Sequence, residues 1–263
     1  MLEKMKKWEN KYYRPIFIFF GICFFLFLWW LVAYIADSPL LVGPSETFVS
    51  LGTLFTIEYF YVSIGYSLLR LIIVLLVCFM VGGILGTLAG LFKRFYAFLY
   101  PIITILRAYP TVIILVVIVV LVNDRLSPYI IASFVLFPIV YEAFAKGINS
   151  VDDSISDSLE IDGGYHKPHN VIKVLLPLSF PYISLTITQT IGLGLKIVMM
   201  AELMNGNTSL PGLGNMIKIY QNAGEYNYIY AIATFVIMLT IIIDIGLYFL
   251  KKYIANKYSF NKK

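Results

Sequence analysis

The sequence predicts an all-α integral membrane protein with six transmembrane helices, and three observations predict it. The chain of 263 residues is 60% hydrophobic and only 13% charged, against roughly 45–50% and about 25% in soluble domains. Four stretches, 15–36, 71–92, 174–195 and 226–243, contain no Asp, Glu, Lys or Arg. A helix needs about 20 apolar residues to cross roughly 30 Å of hydrocarbon. The apolar runs are also long and continuous rather than alternating in ten-residue pieces, which selects helices over barrel strands.

The elements follow in order. Lys4, Lys6, Lys7, Lys11 and Arg14 precede an apolar run over 15–36. That run exceeds the ~7–15 residues of a signal-peptide core, and Ala33-Tyr34-Ile35-Ala36 makes a poor cleavage site, so an uncleaved first span is expected. The second span, about 63–92, carries Gly82-Gly83 and Gly86, a small-residue face where two helices approach closely. The third covers about 99–122 with Pro101 and Pro110, and the fourth about 127–147 with Pro138. The fifth, about 172–203, contains Pro177 and Pro181, and the sixth runs over about 226–250. Each proline frees a carbonyl that neighbouring helices must satisfy, so the spans are expected to pack as a bundle. The whole chain, 1–263, reads as a single transmembrane domain whose core spans lie within 63–250.

Lys and Arg set the expected orientation, because they collect on the cytoplasmic side. One side holds the N-terminal basic residues, Lys93, Arg94, Lys146, Lys167, Lys173 and the lysines of the tail. The opposite loops, 37–62, 123–126 and 204–225, offer only Arg125 and Lys218. Both termini are therefore expected inside. The net charge of +5 follows this pattern and does not indicate nucleic acid. Cys23 and Cys78 both fall inside spans and are not expected to pair.

Ionisable residues within spans are costly, about 2.5–3.5 kcal/mol at the bilayer centre on insertion scales. Arg107 lies near a boundary, where snorkelling to the headgroups is expected, and Asp244 suits an interfacial or capping contact. Arg70 and the region from Lys196 to Glu202 lie about two turns inside their helices. A buried ion pair or a polar lining is the default there.

The loop 148–171 interrupts this pattern with acids, bases, Gly163-Gly164 and Pro168. Val151, Ile155, Leu159 and Ile161 recur at helix-like spacing with acids between them, the signature of a short amphipathic helix. Gly163-Gly164 permits a left-handed turn, and a second short segment leads from Tyr165 back to the bilayer. The expected shape is helix, sharp turn, helix, projecting as a knob. His166 and His169 make a poor metal site, since Pro168 breaks the helix that would align them. No P-loop, HExxH or GxSxG occurs, so neither a nucleotide site nor a catalytic cluster is expected.

Gly164, the nine residues Tyr165–Lys173 and the closing Val174-x-Leu176-Pro177 resemble the signature loop of the binding-protein-dependent permeases, the membrane subunits of type I ABC importers. That signature is E-A-A-x-x-x-G, nine residues, then I-x-L-P. Its E-A-A start is degraded here to Ser158-Leu159-Glu160. Residues 61–95, 100–120 and 196–217 look like corresponding blocks of the nitrate/sulfonate/taurine branch, which includes pyrimidine-precursor and riboflavin-type importers. The segment 40–51 also looks like that branch.

The resemblance implies a type I ABC importer permease fold and no enzyme activity in this chain. It also implies two permease copies, identical ones, above a cytoplasmic ABC ATPase dimer that carries ATP and Mg. An extracytoplasmic substrate-binding lipoprotein would dock on the other side of a bacterial cell membrane. Ser158, Leu159, Glu160, Asp162, Gly163, Gly164, Tyr165 and Pro177 would then form the coupling helix and its flank. Arg70, Tyr109, Pro110, Lys196, Met200 and Glu202 would serve the translocation pathway or its gating, with Glu202 lining or stabilising its outer part. Pro211, Gly212 and Gly214 would form the turn facing the binding protein. The substrate is expected to be a small organic or oxyanion solute. The competing readings, a secondary transporter or a membrane scaffold, lack respectively an inverted repeat with a midplane carboxylate and a soluble domain.

Overall fold

The computed structural model describes residues 2–161 and 164–259; Asp162 and Gly163 of the expected coupling loop lie outside the described residues. Twelve helices follow one another, with no strand among the described residues. They are α1 (Leu2–Ala36), α2 (Pro44–Leu54), α3 (Glu58–Leu91), α4 (Lys93–Ala108), α5 (Thr111–Leu121) and α6 (Ser127–Asn149). Next come α7 (Asp153–Ile161), α8 (Pro168–Asn170), a π-turn over Val171–Leu175, and α9 (Leu176–Leu178). The series closes with α10 (Phe180–Asn205), α11 (Leu213–Ala223) and α12 (Tyr226–Ser259).

Five helices are long and apolar enough to cross a membrane: Pro15–Ala36 within α1, then α3, α6, α10, and Tyr226–Phe249 within α12. The third expected span is not one straight helix. It is the pair α4 and α5, bent by 93° at Tyr109-Pro110, so a sixth span exists only if the bent pair counts as one. The cause is local. Pro110 has no N–H to continue the ladder, and it disfavours the α region for Tyr109, whose ψ is 127°. The fifth span is interrupted as well. The π-turn and α9 end at Ser179, whose hydroxyl donates to the Leu175 carbonyl at 2.7 Å, before α10 begins.

The chain falls into two compact units. One comprises the chain up to Ile57 together with Tyr220–Val236; the other comprises Glu58–Ile219 and the chain from Ile237 onward. In the first unit, Trp29 donates its indole N–H to the Val42 carbonyl at 2.9 Å and stacks on Tyr230. Asn227 donates to the Ser50 hydroxyl at 2.9 Å, and Tyr220 stacks on Tyr228 at 4.6 Å.

The second unit holds the main core, where α3, α6 and α10 pack together. Val74, Cys78, Leu115, Ile131, Leu136, Val140, Val198 and Ala201 form its buried centre. The glycine face expected on the second span is what permits this packing. A Cβ on Gly86 would lie 2.4 Å from the Tyr141 carbonyl oxygen, and one on Gly90 would lie 2.6 Å from the Ile148 Cβ. Only hydrogen fits there, so α3 and α6 meet backbone to backbone, as small-residue membrane interfaces do. Both cysteines are free, Cys23 exposed and Cys78 buried.

Candidate functional site

Two sets of sequence-predicted residues converge in space. The first is the knob. Helix α7 begins after Asp152, whose carboxylate accepts the Ser154 N–H at 3.1 Å and the Ser154 hydroxyl at 2.9 Å. These bonds hold the Asp152 carboxyl below its usual range, as expected of an N-cap. Leu159 is buried against Ile148, Val171 and Leu175, with Val151, Ile155 and Tyr165 packed around them. Ile161, expected on the same face, is 90% exposed. At 100° per residue, two positions beyond Leu159 is a 200° rotation, so the helix carries Ile161 to the far side.

The turn itself closes at Gly164, with φ of 120°, a region that residues with a Cβ rarely adopt. Its N–H donates to the Leu159 carbonyl at 2.9 Å and its own carbonyl accepts the Lys167 N–H at 3.2 Å. Buried Asn170 donates its side-chain amide to that same carbonyl at 2.9 Å. Asn170 is a component the sequence reading missed, and only its six-residue distance from the glycine hinted at it. Tyr165 is half-buried, and burial pushes its phenol up. His166 stacks on Phe92 at 4.9 Å, while Ser158, Glu160 and Pro177 are exposed.

The second set is a polar clamp. Glu202 is fully buried and Arg70 is 5% exposed. Arg70 Nη1 donates to Glu202 Oε1 at 2.6 Å and to the Pro211 carbonyl at 2.9 Å. The Ser67 hydroxyl lies 2.9 and 2.8 Å from the two carboxylate oxygens. The start of α11 joins in: Gly214 N–H donates to Glu202 Oε2 at 2.9 Å, and Leu213 N–H donates to Ser67 Oγ at 2.9 Å. Pro211 and Gly214 are thereby tied to α3 and α10, with Gly212 between them. The glycines are required by space. A Cβ on Gly212 would lie 2.7 Å from Arg70 Nη1, and one on Gly214 would lie 2.1 Å from the Met199 carbonyl oxygen.

The remaining candidates lie elsewhere. Lys196, grouped with Glu202 in the sequence reading, is exposed on α10 and does not join the clamp; Met200 shares its exposed side. From Lys196 to Glu202 is 600° along a helix, or 240° in projection, which separates the two faces. Tyr109 and Pro110 are exposed at the α4–α5 bend, and Asp244 is exposed on α12. Arg107, expected to snorkel, is half-exposed. It forms an ion pair with Glu142, whose other oxygen accepts from Lys146 at 3.2 Å. Glu142, which lies inside the fourth expected span, did not figure in the sequence reading. No group of metal-ligating side chains occurs among the described residues.

Residues 80–260 match the family described as binding-protein-dependent transport system inner membrane component. The chain is also similar to the nitrate import permease protein NrtB of Synechococcus elongatus. The two are 24% identical over 230 residues, covering 82% of this chain and 80% of the relative. With more than half of the chain inside the family match, and with an all-helical, multi-pass fold, this protein belongs to that inner membrane component family and is a transmembrane permease of the type I ABC importer class.

Proposed function

We propose that the chain forms, as a homodimer, the translocation pathway of an ATP-driven importer for a small solute handed over by an extracytoplasmic binding protein. ATP and Mg reside in a cytoplasmic ATPase dimer that grips the knob. The observation that carries this reading is the build of the knob. Leu159 and Asn170 lock a tight turn at Gly164 onto the end of α6 and the start of the fifth span. Ser158 and Glu160 face outward, free to enter a groove. A rigid handle is what transmission requires, since switching a two-state pathway from 1:99 to 99:1 takes about 5.5 kcal/mol of differential interaction.

The lysine and arginine bias supports both termini lying on the ATPase side. The Pro211–Gly214 turn, pinned by the clamp, then presents the opposite face to the binding protein. Lys196, Met200 and the bend at Tyr109-Pro110 line or gate the pathway, and Arg70 with Glu202 stabilises its outer part. The likeness to a nitrate import permease supports a negatively charged cargo.

Gly164→Val tests the reading. In proteoliposomes holding the permease, its ATPase and its binding protein, the variant is expected to lower solute-stimulated ATP hydrolysis and uptake at least tenfold while the complex still forms. Uptake equal to wild type would remove the knob from the coupling path.

A further inference from the structure

Between α4 and α6 lies an open cavity of about 340 Å³ that includes none of the residues assigned above to the clamp or the knob. Tyr96, Tyr100, Thr104, Arg107, Tyr141 and Glu142 line it together with the aliphatic Ile103 and Ala108. Four of the eight carry aromatic rings or a guanidinium plane, and Glu142 adds a carboxylate. That composition is costly within helices otherwise built for lipid, where an ionisable side chain marks function by default. Arg107 is half-exposed, its side chain 52% accessible and only one of its nitrogens engaged by Glu142. The buried Tyr141 hydroxyl has no hydrogen-bond partner, a group that native structures rarely leave unpaired.

The cavity therefore has a chemical bias. Arg107 and Lys146 against Glu142 leave one net positive charge, which a monoanion balances. Arg107 keeps free N–H groups in a fork suited to a carboxylate. Tyr96 and Tyr100, with ring centroids 6.0 Å apart, offer ring surfaces to a flat body. A flat organic anion gains contact with those rings that a bare inorganic oxyanion has no body to make.

We infer that this cavity binds a small aromatic carboxylate, its ring against Tyr96 and Tyr100 and its carboxylate on Arg107. The inference names the cargo class for the importer proposed above and rests on that reading only for its physiological role, since binding is measured on the permease alone. The test is calorimetric titration of the full chain in lipid nanodiscs with benzoate, and separately with nitrate. Saturable benzoate binding is expected, weakened at least tenfold by Arg107→Gln and by Tyr96→Ala, and partly kept by Arg107→Lys. Nitrate should not compete. Absence of benzoate binding to the wild type, binding unaffected by both Arg107→Gln and Tyr96→Ala, or displacement by equimolar nitrate would each overturn the assignment. ATPase stimulation in the reassembled importer is a separate readout, so its loss would count against the importer reading and not against the cavity.

Discussion

Two arginine–glutamate pairs sit in the same unit and behave as different devices. Arg70–Glu202 is sealed: the carboxylate is wholly buried, and Ser67, Gly214 and Arg70 together engage both its oxygens. Arg107–Glu142 is open, with half of the arginine side chain accessible and a cavity beside it. Identical chemistry is thus a closed fastening in one place and an accessible surface in the other. What separates them is how many protein groups close around the charge. A buried pair is tolerated only when most of its remaining hydrogen-bonding capacity is met internally; Pro211 and the start of α11 meet most of it, leaving the Arg70 Nε without a partner.

The largest effect should come from breaking the sealed pair on one side. Glu202→Gln or Arg70→Met leaves a charge buried without its partner, which costs about 3–5 kcal/mol. Expression and detergent-resistant yield should fall sharply, while Arg70→Met combined with Glu202→Leu recovers much of the loss. If either single variant matched wild type in thermal unfolding, the clamp would not hold the structure. Gly214→Ala comes next. Its new Cβ would crowd the Met199 carbonyl, and overpacking of this kind costs about 1–3 kcal/mol. The loop is expected to leave Glu202, read as faster proteolysis between Asn205 and Leu213.

Arg107→Gln should be far milder. Exposed pairs contribute about 0–1 kcal/mol, so the unfolding midpoint should stay close to wild type. A drop as large as that of Glu202→Gln would erase the contrast between the two pairs. Smallest of all is the cap of α7. Asp152 has a carboxyl held below its ordinary value, so its contribution is present above the unfolded-state value near 4. It is lost as pH falls through the lower folded value. Asp152→Asn should remove that acid-range dependence, seen as amide protection factors in α7 that no longer fall at low pH.

Much of this architecture was legible because it is local. Apolar runs marked the spans, glycine spacing marked the α3–α6 contact, and Gly164 with its nine-residue interval marked the knob. The clamp was legible only in part. Arg70 and Glu202 stood out as charges in apolar helices, but their pairing across 132 positions leaves no periodic trace. Ser67 and the Gly214 N–H carried even less signal, since a serine in a helix and a backbone amide look ordinary. Glu142 escaped notice because it sits seven residues from the end of α6, where an acid reads as interfacial. The 93° bend was signalled by Pro110, yet a proline alone does not distinguish a mild kink from a full break. Ile161 shares the apolar character of α7's buried residues but not their angle, so composition alone assigns it to the wrong face.

The contrast between a sealed and an open pair is tested most directly by thiol accessibility. In a Cys23→Ser, Cys78→Ala background in nanodiscs, Ser67→Cys places a thiol in the clamp and Thr104→Cys places one in the cavity. A small water-soluble maleimide is expected to modify the Thr104→Cys protein rapidly and to leave the Ser67→Cys protein unmodified until it is denatured. Equal labelling of both, or protection at position 104 with labelling at position 67, would contradict the account.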